Sequence, residues 1–215
     1  MEGLAITPDG TTLVGIMQNA LIQDAAEGGA AANLLRIVTI DVASGTTHEY
    51  AYLLTTGSGV SEILAINSHE FLVDERDGRG REGGSGGTSN DARVKQLFKI
   101  DLDNAYDVSN EDGTTAATHA VTKALFLNIV TALTSNGIAA TQIPSKIEGI
   151  SFGPDVRLAD NARVHTLWVS NDNDFLLSTA DNPPVANPNQ FFVFGFTDED
   201  LSGYVPATHG LPFGN

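Results

Sequence analysis

Glu2-Gly3-Leu4-Ala5-Ile6-Thr7-Pro8-Asp9 recurs as Glu148-Gly149-Ile150-Ser151-Phe152-Gly153-Pro154-Asp155, and the fold turns on this repeat. Each copy is a short apolar strand closed by turn chemistry. Pro presets φ, and Gly10, following Asp9, tolerates the positive φ that such turns need. A second apolar strand follows each copy and ends in polar groups, Gln18-Asn19 in the first and Asn171-Asp172-Asn173-Asp174 in the other. A weaker copy, Glu62-Ile63-Leu64-Ala65-Ile66, leads into Phe71-Leu72-Val73-Asp74-Glu75-Arg76-Asp77. Each unit then supplies a further strand, over 36–42, 96–102 and 190–196. A unit of about four antiparallel strands at irregular spacing is how a β-propeller blade reads when its loops vary. The expectation is an all-β chain of about three blades of four-stranded antiparallel sheet. Closed rings typically need about 4–8 blades, so the chain reads as half to two-thirds of a propeller. Its opening strand starts without a lead-in, which fits a chain that begins mid-domain.

Between the repeats, Thr11–Met17, Thr47–Leu54, Gln96–Leu102 and Thr166–Ser170 have strand composition bounded by turn residues. Phe192, Phe194 and Phe196 share one face by period two, and that face is expected to be buried. One short helical insert is predicted: a strand over Thr122–Asn128 runs into a helix over Ile129–Ser135, ended by Asn136-Gly137. Residues 77–91, with six Gly among charged and small polar residues, read as a flexible Gly-rich loop.

The charge balance narrows the partners. Eleven Lys and Arg stand against 27 Asp and Glu among 215 residues, a net −16. A general nucleic-acid binder or a chain docking on anionic lipid needs the opposite sign. A small-molecule substrate and cation binding suit an acidic surface better. The absence of Cys excludes disulfides and thiolate chemistry. His48, His69, His119, His165 and His209 have no metal-ligand spacing and read as exposed turn or strand-edge residues. Neither a nucleophile elbow nor a phosphate-binding glycine fingerprint is present.

The repeated acids carry the functional expectation. If Glu2, Glu62 and Glu148 begin the innermost strands, their carboxylates come from three blades toward one channel mouth. Like charges brought together need solvent, a proton or a cation, and Ca²⁺ takes six to eight oxygen ligands. Glu2, Glu62, Glu148, Asp172 and Asp174 are therefore the expected metal ligands, with Asp74 a further strand-end candidate. Glu75, Arg76 and Glu148 are the expected catalytic residues, the acids activating water and Arg76 steadying developing negative charge. The plainer alternative is that these Glu cap strands or accept backbone N–H bonds. Six of the eleven basic residues fall within 76–99. They read either as an anion site or as a solvated loop balancing Glu75, Asp77, Glu82 and Asp91.

Glu2–Gly10, Leu13–Asn19, Phe71–Asp77, Lys99–Leu102 and Ile147–Pro154 together resemble the phytase-like domain family, labelled esterase-like activity of phytase, over nearly the whole of 1–215. The resemblance implies a β-propeller-like fold in exported bacterial proteins, extracellular or periplasmic, although no signal peptide is visible here. It also implies hydrolysis of phosphate or other esters with Ca²⁺ as the metal, and a further N-terminal stretch in family members. A lactone or carboxylic ester hydrolase of gluconolactonase-like type, and a non-catalytic propeller that binds a ligand or partner with structural Ca²⁺, remain the alternatives. Open blade edges predict self-association.

Overall fold

A computed structural model describes residues 1–55 and 58–207. Three antiparallel sheets are laid down in sequence order, each a meander of neighbouring strands. The first contains β1 (Gly3–Ile6), β2 (Thr12–Ile16), β3 (Leu34–Asp41) and β4 (Thr47–Leu53). The second contains β5 (Gly59–Ala65), β6 (Glu70–Arg76), β7 (Lys95–Asp101) and β8 (Lys123–Asn128). The third contains β9 (Ile147–Arg157), β10 (Arg163–Asn171) and β11 (Phe191–Phe196), so it has three strands among the described residues rather than the expected four.

Alternation of side chains builds two cores between these sheets. Val14, Ile16, Leu35, Ile37 and Tyr52 of the first sheet pack on Val60, Ile63, Phe71, Val73 and Ile100 of the second. The other face of the second sheet, with Leu72 and Leu97, packs on Ile147, Ile150, Leu167, Val169 and Phe196 of the third. On β6, Phe71, Val73 and Glu75 thus face the first sheet, while Leu72, Asp74 and Arg76 face the third. The aromatic stripe behaves as its spacing requires: Phe192, Phe194 and Phe196 pack inward, whereas Phe191 and Val193 are exposed.

The first strands of successive sheets lie together, β1 against β5 and β5 against β9. Gly3 makes the first of these contacts possible. A Cβ there would stand 2.6 Å from the Ile63 backbone nitrogen and 2.8 Å from the Glu62 carbonyl carbon. A groove of about 410 Å³ runs between the three strands, lined in part by Ile6, Glu62, Leu64 and Ser151.

Among the described residues, three short α-helices decorate the sheets. The expected boundary is present: β8 ends at Asn128, whose side chain accepts from the Thr131 N–H and opens α3 (Ile129–Ser135). Two more, α1 (Ile22–Ala25) and α2 (Gly113–Thr118), were not legible in the sequence. Buried Asp24 ties both to the first sheet. It accepts from Arg36 Nε at 3.0 Å and Nη2 at 2.9 Å, and from the Gly113 N–H at 2.9 Å. Arg36 also donates to the Val108 and Glu111 carbonyls at 3.2 and 2.9 Å.

The Gly-rich segment 77–91 follows a pinned path. The Arg81 N–H donates to the Ile143 carbonyl at 2.7 Å, and the Gly80 N–H to Asn90 Oδ1 at 2.8 Å. Gly80, Gly83 and Gly84 serve close approach: at Gly80, where φ is +131°, a Cβ would lie 2.3 Å from the Ile143 carbonyl oxygen.

Candidate functional site

The end of β6 gathers most of the predicted chemistry, but it divides that chemistry between two faces. Glu75 points toward the first sheet and is fully buried. Tyr52 Oη donates to its Oε1 at 2.5 Å, and the Thr55 N–H and Ser58 Oγ donate to its Oε2, both at 3.1 Å. Lys123 forms an ion pair with the same carboxylate and lies 4.8 Å from the centroid of the Tyr52 ring. Burial works to push the Glu75 carboxyl up, but the bonds from Lys123, Tyr52 and Thr55 outweigh it and hold the group below its ordinary value. Burial, reinforced by Glu75, drives the Tyr52 phenol far up.

Arg76 takes the other face. Its Nε donates to Ser61 Oγ at 2.8 Å, and its Nη2 pairs with Glu148 at the start of β9. This pair joins the second and third sheets. Ser61 is placed by a local irregularity: pairing between β5 and β6 shifts register between Val60 and Glu62. Such bulges re-aim a side chain at a sheet edge. Beside Arg76 lies a polar cleft of about 320 Å³, lined also by Gln18, Asn19, Ser58 and Ser61.

Lys146, two residues before Glu148, completes the group. Its Nζ stands 3.6 Å from Glu148, 3.3 Å from Asp172 and 2.5 Å from Asp174. Burial opposes its charge, yet the bond it donates to Asp174 and the charges of Glu148 and Asp172 raise its pKa overall. Asp172 is lowered, first by the Asp174 backbone N–H.

Between these groups sits Asp74, with no exposure and no hydrogen-bond partner on either side-chain oxygen. It is the cross-strand partner of Glu62. Burial pushes its carboxyl up to about 8, the cations Lys95 and Arg76 pull the other way, and Glu62 and Glu148 add to the rise. Glu62 is itself raised by burial, although the Ile63 and Leu4 N–H groups donate to it at 3.0 and 3.2 Å.

The structure therefore brings Arg76, Glu148, Asp172 and Asp174 together through Lys146 and places Asp74 behind them. Glu2 lies exposed at the start of β1, and Glu62 accepts backbone N–H bonds, as the strand-capping alternative expects. Among the described residues, no three acidic or histidine side chains gather in a way that could hold a metal ion. To reach Glu148, Asp172 and Asp174 together, Ca²⁺ would have to displace the Lys146 ammonium, which already stands among all three carboxylates. This donor set does not fit the ion.

Other basic residues of 76–99 are largely committed. Lys95 is fully buried and donates to Asp77 Oδ1 at 2.8 Å and to the Ser145 carbonyl at 2.7 Å, while Lys99 pairs with Glu70 at 2.6 Å. Of the histidines, His48 and His69 are exposed and pair with Asp107 and Asp101 at 2.6 and 2.8 Å. His165 is half-buried between Asp155 and Asp198 at 2.7 and 3.0 Å, and His209 lies outside the described residues. Lys146 and Ser61 were missed in the sequence. The one available signal for Lys146 was its position two residues before the repeated Glu.

The family model for phytase-like proteins, described as esterase-like activity of phytase, matches residues 1–175. The chain belongs to this family. The match takes in every site residue of the phytase-like chain named above, from Glu2 to Asp174. Among curated proteins and among solved structures, none matches it. Among the described residues, no helix is long and apolar enough to cross a membrane.

Proposed function

We propose that this phytase-like chain is an esterase-like hydrolase built on a β-propeller-like arrangement of its three sheets. The succession of first strands, β1 against β5 and β5 against β9, supports the propeller. The observation that carries the site is the Arg76–Glu148 pair beside the polar cleft, with Lys146 at its back. An incoming phosphate ester, or the oxyanion developing on a carboxylic ester, takes the place of Glu148 on the Arg76 guanidinium. Arg offers a planar fork suited to such oxygens, and the charge is stabilised where it develops. Released from Arg76, Glu148 is free to accept a proton from water as that water attacks the phosphorus or carbonyl carbon. The ester bond then breaks, and the leaving alkoxide takes up the proton from Glu148. Asp74, neutral at ordinary pH, keeps a third negative charge away from Glu148 and Glu62.

Two cations near one carboxylate favour phosphate esters over neutral carboxylic esters. No step here passes through a metal. The test is release of phosphate from p-nitrophenyl phosphate and phytate, with p-nitrophenyl acetate in parallel, in Ca²⁺ and in chelator. Turnover that survives chelation and falls about 100-fold or more in Glu148→Gln, at unchanged melting temperature, supports the reading. Turnover that requires Ca²⁺ would overturn this mechanism and return Glu2, Glu62, Glu148, Asp172 and Asp174 to the role of ligands. No turnover of any ester would leave a ligand-binding module in its place.

A further inference from the structure

Arg81, in the middle of the Gly-rich segment, is 6% exposed and forms no ion pair among the described residues. Its bonds go to neutral acceptors: Nε to Asn187 Oδ1 at 3.0 Å, and Nη2 to Gln190 Oε1 at 2.6 Å and the Pro188 carbonyl at 3.3 Å. The carboxylate nearest in this network, Glu82, is one amide away, since Asn187 Nδ2 donates to it. A buried cation is ordinarily paired, because its desolvation is otherwise uncompensated. Arg81 also lines a cavity of about 630 Å³, within the usual range for small-ligand sites. Gln190, Ile138 and Val185 share that wall, and Asp181 stands on it with its oxygens held by Ser89 and Thr179.

We propose that this cavity binds a small organic oxyanion, a carboxylate or a phosphate monoester, through the Arg81 guanidinium. The bonds to Asn187, Pro188 and Gln190 use Nε and Nη2 and fix the plane of the fork, which leaves Nη1 for the ligand. The apolar part of the ligand rests on Ile138 and Val185, and Asp181 disfavours a second anionic group elsewhere on the ligand, so the ligand carries one such group. This site is separate from the Arg76–Glu148 pair and does not depend on the hydrolase reading.

The test is calorimetric titration of the whole chain with benzoate and with inorganic phosphate. Saturable binding of one equivalent of either probe is expected, benzoate binding more tightly if the ligand is a carboxylate and phosphate if it is a phosphate ester. Gln190→Glu supplies Arg81 with a built-in carboxylate and should weaken binding about tenfold or more without lowering the melting temperature. Val185→Trp, at a half-exposed position that makes none of the Arg81 bonds, should crowd the cavity wall where the apolar part of the ligand rests and weaken binding as well. Absence of saturable binding for both probes, or binding unchanged in Val185→Trp and in folded Gln190→Glu, would overturn the proposal.

Discussion

Asp74 and Glu75 are adjacent on β6, yet their carboxyls are driven in opposite directions. Glu75 is held below its ordinary value by Lys123, Tyr52 and Thr55 against the push of burial, while Asp74, buried without a hydrogen bond, rises to about 8. The pleat sends one toward the first sheet and the other toward the third, and only the first of these environments supplies donors.

For Asp74, the folded chain binds one proton more than the unfolded chain between about pH 4 and the folded value near 8. Stability therefore falls with rising pH across that window, by up to about 1.4 kcal/mol per unit, and the loss is complete above it. Asp74→Asn removes this slope. Urea unfolding of both proteins from pH 5 to 9 should show the variant gaining on the parent as pH rises. A constant difference would mean that Asp74 is solvated or paired.

Glu75 has the opposite sign. Its lowered value contributes stability that is present above the unfolded pKa and lost as pH falls through the folded one. Glu75→Gln leaves Lys123 facing a neutral amide and should cost about 3 kcal/mol at pH 7. The gap to the parent should narrow in acid. Thermal melts at pH 7 and pH 4 check this, and a gap that widens in acid would refute it.

The Asp24–Arg36 pair is expected to hold α1 and α2 in place. Arg36 lowers the Asp24 carboxyl, chiefly through its hydrogen bonds. Asp24→Ala leaves the buried Arg36 guanidinium with the half-exposed Glu49, at 3.2 Å, as its remaining carboxylate partner and should destabilise the chain by about 3 kcal/mol. Hydrogen exchange at the Gly113 amide, which donates to Asp24, should accelerate more than exchange in β6 or β10. Uniform acceleration would point to global loss instead.

Gly3→Ala introduces a methyl group into backbone, 2.6 Å from the Ile63 nitrogen. Because the obstacle is a neighbouring strand rather than a movable side chain, separation of β1 from β5 should cost about 1–3 kcal/mol. Chemical denaturation measures this directly, and a neutral outcome would show that β1 does not lie tightly on β5.

Much of the fold was legible because it depends on local pattern. The Glu-Gly repeat marked the starts of β1 and β9, and the turn from β8 into α3 was placed at Asn128, a residue with a side chain suited to open a helix. The two extra helices were illegible for a physical reason. Both have six residues or fewer, and Asp24, far from α2 in sequence, supplies the acceptor for the Gly113 N–H at the start of α2. The site divides along the same line. Arg76 and Glu148 could be singled out by residue type and strand-end position. That Glu75 is consumed by Tyr52 and Lys123, and that Lys146 bridges three acids, depends on packing between sheets that no single segment encodes. The acids of the repeat were expected to converge on a cation. Among the described residues, Lys146 supplies positive charge beside Glu148, Asp172 and Asp174, and Arg76 pairs with Glu148.

Trp168 is the single tryptophan of the chain, and it lies 38% exposed on the outward side of β10, edge-on to Phe191. Its indole emission is thus a native optical gauge of that surface. A shift to shorter wavelength on concentrating the protein would register the arrival of any neighbour there, with no label attached.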